Sequence, residues 1–128
     1  MPASEKTIKD RLHYFQMNGR EVFDVAVTVL PKAITEVLED AGLTIDDVKY
    51  LIPHQPSIGI LKETARRLGL PFEKVLTNMD RYANTSSGTI PILLDEAKKK
   101  ALLKKGDVVL FAAVGAGWTW GAIAMRWV

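Results

Sequence analysis

Seven consecutive apolar residues near the end of the chain, Val108 to Val114 (VVLFAAV), place the strongest limit on its fold. A strand with one face in water alternates apolar and polar side chains, whereas an unbroken apolar run is typical of a strand covered on both faces. Turn sequences flank the run: Lys104–Asp107 (KKGD) precedes it and Gly115–Gly117 (GAG) follows it. The pattern predicts a central strand between two layers of helices.

The remaining segments alternate between strand and helix patterns. Strands are predicted over Val48–Ile52, Val75–Thr77 and Trp118–Val128, with residues 13–17 (HYFQM) as a further candidate. Apolar residues at helical spacing predict helices over Glu21–Ala41, Ser57–Leu68 and Thr85–Leu103. This order predicts an α/β fold: a mixed, mostly parallel sheet with helices packed on it and a C-terminal antiparallel hairpin.

Two details of the helices can be compared with the structure. Pro31 lacks the N–H that a helix interior requires, so it predicts a kink or two abutting helices. In the second helix, the inward face is expected to hold Ile58, Leu61, Ala65 and Leu68.

Composition limits the class of protein. With 128 residues, the chain is expected to form a single domain over 1–128, in which residues 1–12 are loose or helical. The net charge of +2 is too small to favour nucleic acid or a membrane surface as a partner. The sequence has no cysteine, and its two histidines lack a suitably spaced carboxylate, so no metal site is expected. No apolar leader or spanning segment is found, which predicts a cytoplasmic protein.

Polar side chains and glycines follow three of the predicted strands. These segments are Pro53–Gln55, Tyr82–Thr85 and Gly115–Gly117. A parallel sheet brings such loops to one edge, where an imidazole, a carboxamide and backbone N–H groups could stabilise an oxyanion or enolate without adding charge. Simpler interpretations stay open: a structural histidine, a helix-capping asparagine and an ordinary hairpin turn.

Four strings in these and neighbouring segments, MNGREVF, LIPHQ, MDRYANTSSG and GAGWTWG, together resemble one known family. It is the C-terminal half of the beta-ketoacyl-acyl-carrier-protein synthase III enzymes, which have the thiolase fold. The resemblance runs from about residue 15 to the last residue. His54 and Asn84 lie thirty positions apart, as the family pattern requires.

The resemblance implies a condensing enzyme that joins acyl-coenzyme A to malonyl-acyl-carrier protein and so starts fatty-acid synthesis. It implies that His54 and Asn84 are catalytic, that the backbone N–H of Ala116 contributes to an oxyanion hole, and that Arg66 and Arg67 help dock the carrier protein. The family's cysteine nucleophile belongs to an N-terminal half that this chain lacks. The chain alone is therefore expected to be inactive, with that half as a partner. A homo-oligomer is also expected, with no cofactor beyond the coenzyme A thioester substrate.

The sequence departs from the family pattern at Ser57, Gly59, Ala83 and Ala116. A related thiolase-fold condensing enzyme, such as a hydroxymethylglutaryl-coenzyme A synthase-like protein or a specialised ketosynthase, stays an alternative, as does a non-catalytic scaffold domain. An excised domain, a proteolytic fragment and one subunit of a split enzyme all fit the sequence, and the acyl-chain specificity is left open.

Overall fold

The apolar run forms the middle strand of a three-stranded sheet. The computed structural model describes residues 2–14 and 16–128. Its strands are β1 (Val48–Pro53), β2 (Val108–Gly115) and β3 (Thr119–Arg126). Its helices are α1 (Glu5–Lys9), α2 (Gly19–Asp40), α3 (Ile58–Leu68), α4 (Met79–Tyr82) and α5 (Thr89–Lys99). Short 3-10 turns cover Ile45–Asp47, Phe72–Lys74 and Ser86–Gly88.

The sheet is mixed and has the strand order β1-β2-β3. Strand β2 runs parallel to β1 and antiparallel to β3, in continuous register from Val108 opposite Arg126 to Gly115 opposite Thr119. The α/β class, the mixed sheet and the C-terminal hairpin are confirmed. The parallel part is smaller than predicted, because Val75 contributes only a single parallel bridge to Leu51 instead of a full strand.

Both faces of β2 are buried, which explains its unbroken apolar sequence. Leu110 and alternate residues on its side belong to a core cluster shared with α2 and α3. Val109 points the other way, into a second cluster with Leu93 and Ala97 of α5. Val109 and Leu110 are both fully buried. Side chains alternate across a strand, so two helical layers require apolar residues at both parities.

Helix α2 continues through Pro31 as one element. A proline in a helix interior removes one backbone hydrogen bond and costs about 3 kcal/mol. The neighbouring turns bury Leu30, Ile34 and Leu38 in the core, and burial of such side chains offsets a loss of that size. The expectation of two abutting helices is therefore wrong.

Helix α3 has the predicted bounds, and its inward face is as predicted at Leu61, Ala65 and Leu68 but not at Ile58. Ser57 caps its N-terminus by accepting the Ile60 N–H at 3.2 Å, and Gly69 ends it in the left-handed conformation at φ 67°. Ile58, expected to point inward, is 45% exposed. Ile60, which was not predicted to point inward, is buried in its place beside Leu61 and Ala65.

The predicted helix over Thr85–Leu103 is shorter at both ends. Helix α5 begins at Thr89, because the Ser86 N–H donates to the Asn84 side chain and the chain forms a 3-10 turn before the helix. It ends at Lys99, and Ala101 has a positive φ of 52°. Polar side chains that bond to nearby backbone groups compete with helix formation in this way.

The N-terminal segment forms the short helix α1, which Ser4 caps through its side chain. In the candidate strand over residues 13–17, the four described residues are not in a strand, and Phe15 lies outside the described residues. Within residues 2–14 and 16–128, no helix has both the length and the apolar character needed to cross a bilayer.

Candidate active site

The candidate site begins where β1 ends. His54 directly follows Pro53, the last residue of β1, and its backbone N–H donates to the Ala112 carbonyl of β2 at 2.8 Å. This hydrogen bond continues the parallel pairing by one residue beyond the strand. The backbone of His54 is therefore held by the central strand, and its half-buried side chain leaves the edge of the sheet from a fixed position.

A cleft of about 590 Å³ lies beside His54. It is lined by the start of α2, the start of α3, Asn84, and the turn that joins β2 to β3, including Ala116. The structure therefore places His54, Asn84 and Ala116 around one cleft. A second cavity of about 310 Å³ also borders His54 and is lined further by Ser86, Thr89 and residues of β2 and β3.

The imidazole is anchored through one of its two nitrogens. His54 Nδ1 lies 2.7 Å from the hydroxyl oxygen of Thr89, whose side chain is buried at the start of α5. Burial lowers the pKa of His54, and the nearby Ser86 carbonyl opposes this shift to a smaller extent. The ring is therefore neutral at pH 7, and Nε2 is the nitrogen left for a ligand.

Asn84 is held by its own side chain. Its Oδ1 accepts the Ser86 N–H at 2.9 Å, which forms an Asx turn. The carboxamide oxygen is therefore occupied, and the NH₂ group is the part of the exposed side chain that can bind a ligand. Asn84 does not cap α5, whose N-cap is Gly88.

Ala116 lies in the exposed turn between β2 and β3. Its carbonyl accepts the Thr119 hydroxyl at 3.2 Å. Within the described part of the chain, its backbone N–H has no hydrogen-bond acceptor. The His54 ring, the Asn84 amide and this N–H are thus three uncharged polar groups that border the same cleft.

Gln55, for which the sequence predicted no role beyond its place in a loop, organises the neighbourhood of the site. Its side chain is fully buried. The amide group donates to the Pro53 carbonyl at 3.0 Å and the Leu76 carbonyl at 3.3 Å, while the oxygen accepts the Asn78 N–H at 3.3 Å. Gln55 thereby ties the end of β1 to the segment that leads to Asn84.

The loop that carries Asn84 is also fastened to α5. Asn78 donates from its side chain to Glu96 at 3.3 Å, and Arg81 makes a two-point ion pair with the same carboxylate. Arg81, assisted by Asn78, lowers the pKa of Glu96 to about 2. This cluster could not be predicted from the sequence, because the hydrogen-bond partners of a buried polar group are known only from the folded structure.

Arg66 and Arg67 lie apart from the cleft, on the exposed side of α3. Both bind Glu63: Arg66 through two nitrogens at 2.8 and 2.7 Å, and Arg67 through one at 2.8 Å. These hydrogen bonds lower the pKa of Glu63 to about 2. The two arginines and the carboxylate leave one net positive charge on this surface.

Among the described residues, no three His, Asp or Glu side chains come together as a possible metal-binding group. The catalytic and docking roles of the five site residues stay predictions at this stage.

Comparison with known proteins supplies independent information. Residues 38–127 match the family model described as 3-Oxoacyl-[acyl-carrier-protein (ACP)] synthase III C terminal. The chain is 48% identical over 127 residues to a beta-ketoacyl-[acyl-carrier-protein] synthase III of Symbiobacterium thermophilum, covering 99% of this chain and 38% of that protein. It is 44% identical over 126 residues to the enzyme of that name from Porphyromonas gingivalis, covering 98% of this chain and 37% of that protein.

Solved structures also resemble this chain over most of its length. The 3-oxoacyl-[acyl-carrier-protein] synthase III of Aquifex aeolicus superposes with a TM-score of 0.87 at 45% identity, covering 89% of this chain and 37% of that one. The corresponding enzyme of Pseudomonas aeruginosa superposes with a TM-score of 0.88 at 35% identity, covering 98% and 40%. The chain thus spans well under half the length of the relatives it matches.

Proposed function

This chain belongs to the C-terminal domain family of the 3-oxoacyl-acyl-carrier-protein synthases III, and on that premise we propose that it supplies half of the active site of such a condensing enzyme. The complete enzyme would join the acyl group of an acyl-coenzyme A to malonyl-acyl-carrier protein. The reaction is carbon–carbon bond formation driven by loss of carbon dioxide, and it would start fatty-acid synthesis.

The observation that supports the proposal most directly is that His54, Asn84 and Ala116 line the same cleft. An uncharged ring N–H, an amide NH₂ and a backbone N–H form a set of donors suited to an oxygen that gains negative charge. A thioester carbonyl is such an oxygen when its neighbouring carbon becomes an enolate.

The steps can be written for these residues. The bond between the α-carbon and the carboxylate of the malonyl thioester breaks, carbon dioxide leaves, and the electron pair moves toward the thioester oxygen. His54 and Asn84 donate hydrogen bonds to that oxygen. The enolate carbon then attacks an acyl group held as a thioester on a cysteine, and the cysteine leaves as a thiolate.

The attacked cysteine cannot come from this chain, which contains none. We place it in another part of the longer enzyme, so the chain alone should form no acyl-enzyme. No cofactor is proposed, and coenzyme A enters only as the carrier of the substrate. The proposed setting is the cytoplasm.

Arg66 and Arg67 are proposed to contact the carrier protein. Their side chains are 71% and 41% exposed, and together with Glu63 they keep one net positive charge, which complements an acidic partner. Arg66→Glu should raise KM for malonyl-acyl-carrier protein and leave KM for acyl-coenzyme A unchanged. Equal effects on both constants would contradict the assignment.

The chain by itself is also proposed to self-associate. Trp120 and Ile123 on β3 are 51% and 62% exposed, and Tyr82 is 44% exposed, so apolar surface remains open to water. Sedimentation velocity should show species larger than a monomer as the concentration rises. A monodisperse monomer at high concentration would overturn this expectation.

The test of the proposed function is reconstitution. The chain is mixed with the preceding, cysteine-bearing part of a related synthase, and product formation from labelled acetyl-coenzyme A and malonyl-acyl-carrier protein is measured. We expect no condensation from the chain alone and product from the mixture. His54→Ala or Asn84→Ala should each lower the restored rate by about 10²-fold, the usual scale for a lost oxyanion or acid–base group.

His13→Ala is the matched control, since His13 is the only other histidine of the chain and contacts Thr7 instead of the cleft. It should leave the restored rate unchanged. Condensation by the isolated chain would refute the half-site proposal, and an undiminished rate with His54→Ala would refute the role of the imidazole.

A further inference from the structure

The parallel pairing between β1 and the chain around Val75 stops next to the candidate site. Leu51 and Val75 form a bridge, and the Leu76 N–H donates to the Leu51 carbonyl at 2.9 Å. In a regular parallel ladder, the next two bonds would run from the N–H of residue 53 to the carbonyl of residue 76, and from the N–H of residue 78 to the carbonyl of residue 53. In the described chain neither bond forms, because Pro53 has no N–H and the Asn78 N–H donates elsewhere.

The side-chain amide of Gln55 takes the place of both missing bonds. Its Nε2 donates at 3.3 Å to the Leu76 carbonyl, the acceptor that Pro53 leaves without a ladder donor. The same nitrogen donates to the Pro53 carbonyl at 3.0 Å, and Oε1 accepts the Asn78 N–H at 3.3 Å. We propose that Gln55 is a positioning residue, whose amide is inserted between β1 and the segment that leads to Asn84 and holds that segment away from the strand.

The backbone partners of the amide determine its orientation. The Pro53 and Leu76 carbonyls can only accept hydrogen bonds, and the Asn78 N–H can only donate one. A reversed amide would place its oxygen against two carbonyl oxygens and its NH₂ group against an N–H. The side chain of Gln55 is fully buried, so bulk water does not satisfy these groups in its place. The donor and the acceptor in all three hydrogen bonds are therefore fixed.

The inserted amide links the two candidate catalytic side chains. Gln55 directly follows His54, whose backbone N–H is held by β2. On the other side of the amide, Asn78 precedes α4, and Asn84 lies two positions after the last residue of that helix. Without the amide, the Asn78 N–H could donate directly to the Pro53 carbonyl, as in a regular ladder. The start of α4 would then move toward β1, and Asn84 would move with it relative to His54.

The first measurement uses the full wild-type chain and depends on no core variant. Gln55 donates its NH₂ group to two carbonyls in the buried interior, so both protons should give NMR signals that exchange slowly with water. Gln16, the only other glutamine, is exposed and its NH₂ group should exchange rapidly. The Gln16→Glu variant removes that pair of signals and so assigns the other pair to Gln55. Rapid exchange of both NH₂ groups would overturn the inference.

Gln55→Ala tests the insertion itself. In a crystal structure of this variant, we expect the Asn78 N–H to donate directly to the Pro53 carbonyl, with Asn84 displaced from its wild-type position. Thr64→Ala is the matched control, because it also truncates a buried polar side chain, and the Thr64 hydroxyl has no hydrogen-bond partner among the described residues. The control should leave Asn78 and Asn84 in place. An unmoved segment in Gln55→Ala would contradict the role of the amide.

Gln55→Glu separates the donors of the side chain from its shape. The substitution keeps an acceptor for the Asn78 N–H, but an ionised carboxylate has no proton for the Pro53 and Leu76 carbonyls, and the protonated form regains one. Burial beside two carbonyls disfavours the charged form. The free energy of unfolding should therefore fall further below that of the wild type at about pH 8 than at about pH 5. Urea titrations that give the same difference at both pH values would refute the assigned donors.

A kinetic readout separates this inference from the proposed function, on which its benefit for catalysis rests. Misplacement of a catalytic group by about 1 Å can lower a rate by about 10²-fold. In the reconstituted enzyme, Gln55→Ala should lower kcat on the order of 10- to 10²-fold with little change in KM for acyl-coenzyme A, and Thr64→Ala should leave kcat unchanged. A displaced Asn84 with an unchanged kcat refutes the positioning role alone. A displaced Asn84 combined with full activity of Asn84→Ala refutes the proposed function and leaves the insertion of the amide in place.

Discussion

The backbone at Ala83, next to Asn84, permits a quantitative test of how the site loop is held. Ala83 has φ 52° and ψ −146°, a region that side chains with a Cβ rarely adopt, and it ends the single-turn helix α4. Residues held in such sparsely populated regions cost about 1–3 kcal/mol. Replacement by glycine, which has no Cβ, removes this cost.

The expected change in the free energy of unfolding for Ala83→Gly follows from two opposing effects. Glycine also gains conformational freedom in the unfolded chain, which lowers stability by about 0.4–1 kcal/mol. Ala83 is exposed, so little apolar burial is lost with its methyl group. Its backbone N–H, which donates to the Met79 carbonyl at 3.0 Å, is retained. The net expectation for Ala83→Gly is a gain of about 1 kcal/mol in the free energy of unfolding.

Urea denaturation followed by circular dichroism is the assay. The midpoint should rise with an unchanged m-value, and the thermal midpoint should rise by about 3–5 °C for a domain of this size. Ala41→Gly is the control, because Ala41 is also an exposed residue at a helix C-terminus but has φ −86°. It should lose about 0.5–1 kcal/mol, the usual cost of glycine relative to alanine in such a backbone. If Ala83→Gly lowers stability as Ala41→Gly does, the strain argument is refuted.

Two further predictions concern the core and the ion pair between Arg81 and Glu96. Leu110→Ala should lower the free energy of unfolding by about 2–5 kcal/mol, because Leu110 is fully buried in the core. Ile123→Ala on the same sheet should change it by less than about 0.5 kcal/mol, because Ile123 is 62% exposed. Urea titrations that give equal losses for the two variants would contradict the assigned burial. Because Arg81 lowers the folded-state pKa of Glu96 to about 2 from an ordinary value of 4.5, its ion pair should stabilise the fold fully above about pH 4.5 and progressively less as the pH falls toward 2. Acid unfolding of Glu96→Gln should therefore show a shallower loss over this window than the wild type, and parallel curves would refute the contribution.

The position of the site could be predicted from sequence because strands and their loops have local signatures. His54 follows a strand that Pro53 ends, and the glycine turn follows the apolar run, so a parallel arrangement of these strands brings both loops to one sheet edge. The placement of Asn84 beside them depended on α5 and on the loop before it. The predicted start of this helix at Thr85 is wrong, because an Asx turn at Asn84 replaces the first helical turn.

The sequence by itself determined the layer architecture, because the periodicity of apolar residues reflects how many faces of each element are buried. The VVLFAAV run required helices on both sides of a central strand, and the short-range caps at Ser57 and Gly69 set the ends of α3. Only the tertiary structure decided which polar side chains serve the site. Gln55 bonds to the Leu76 carbonyl 21 positions away, and Thr89 lies 35 positions from its partner His54. Glu96 bonds to Asn78 and Arg81, which lie 18 and 15 positions away. A buried amide or hydroxyl is stable only where a partner meets it, and the packing of α5 against β1, which no local pattern encodes, brings those partners together.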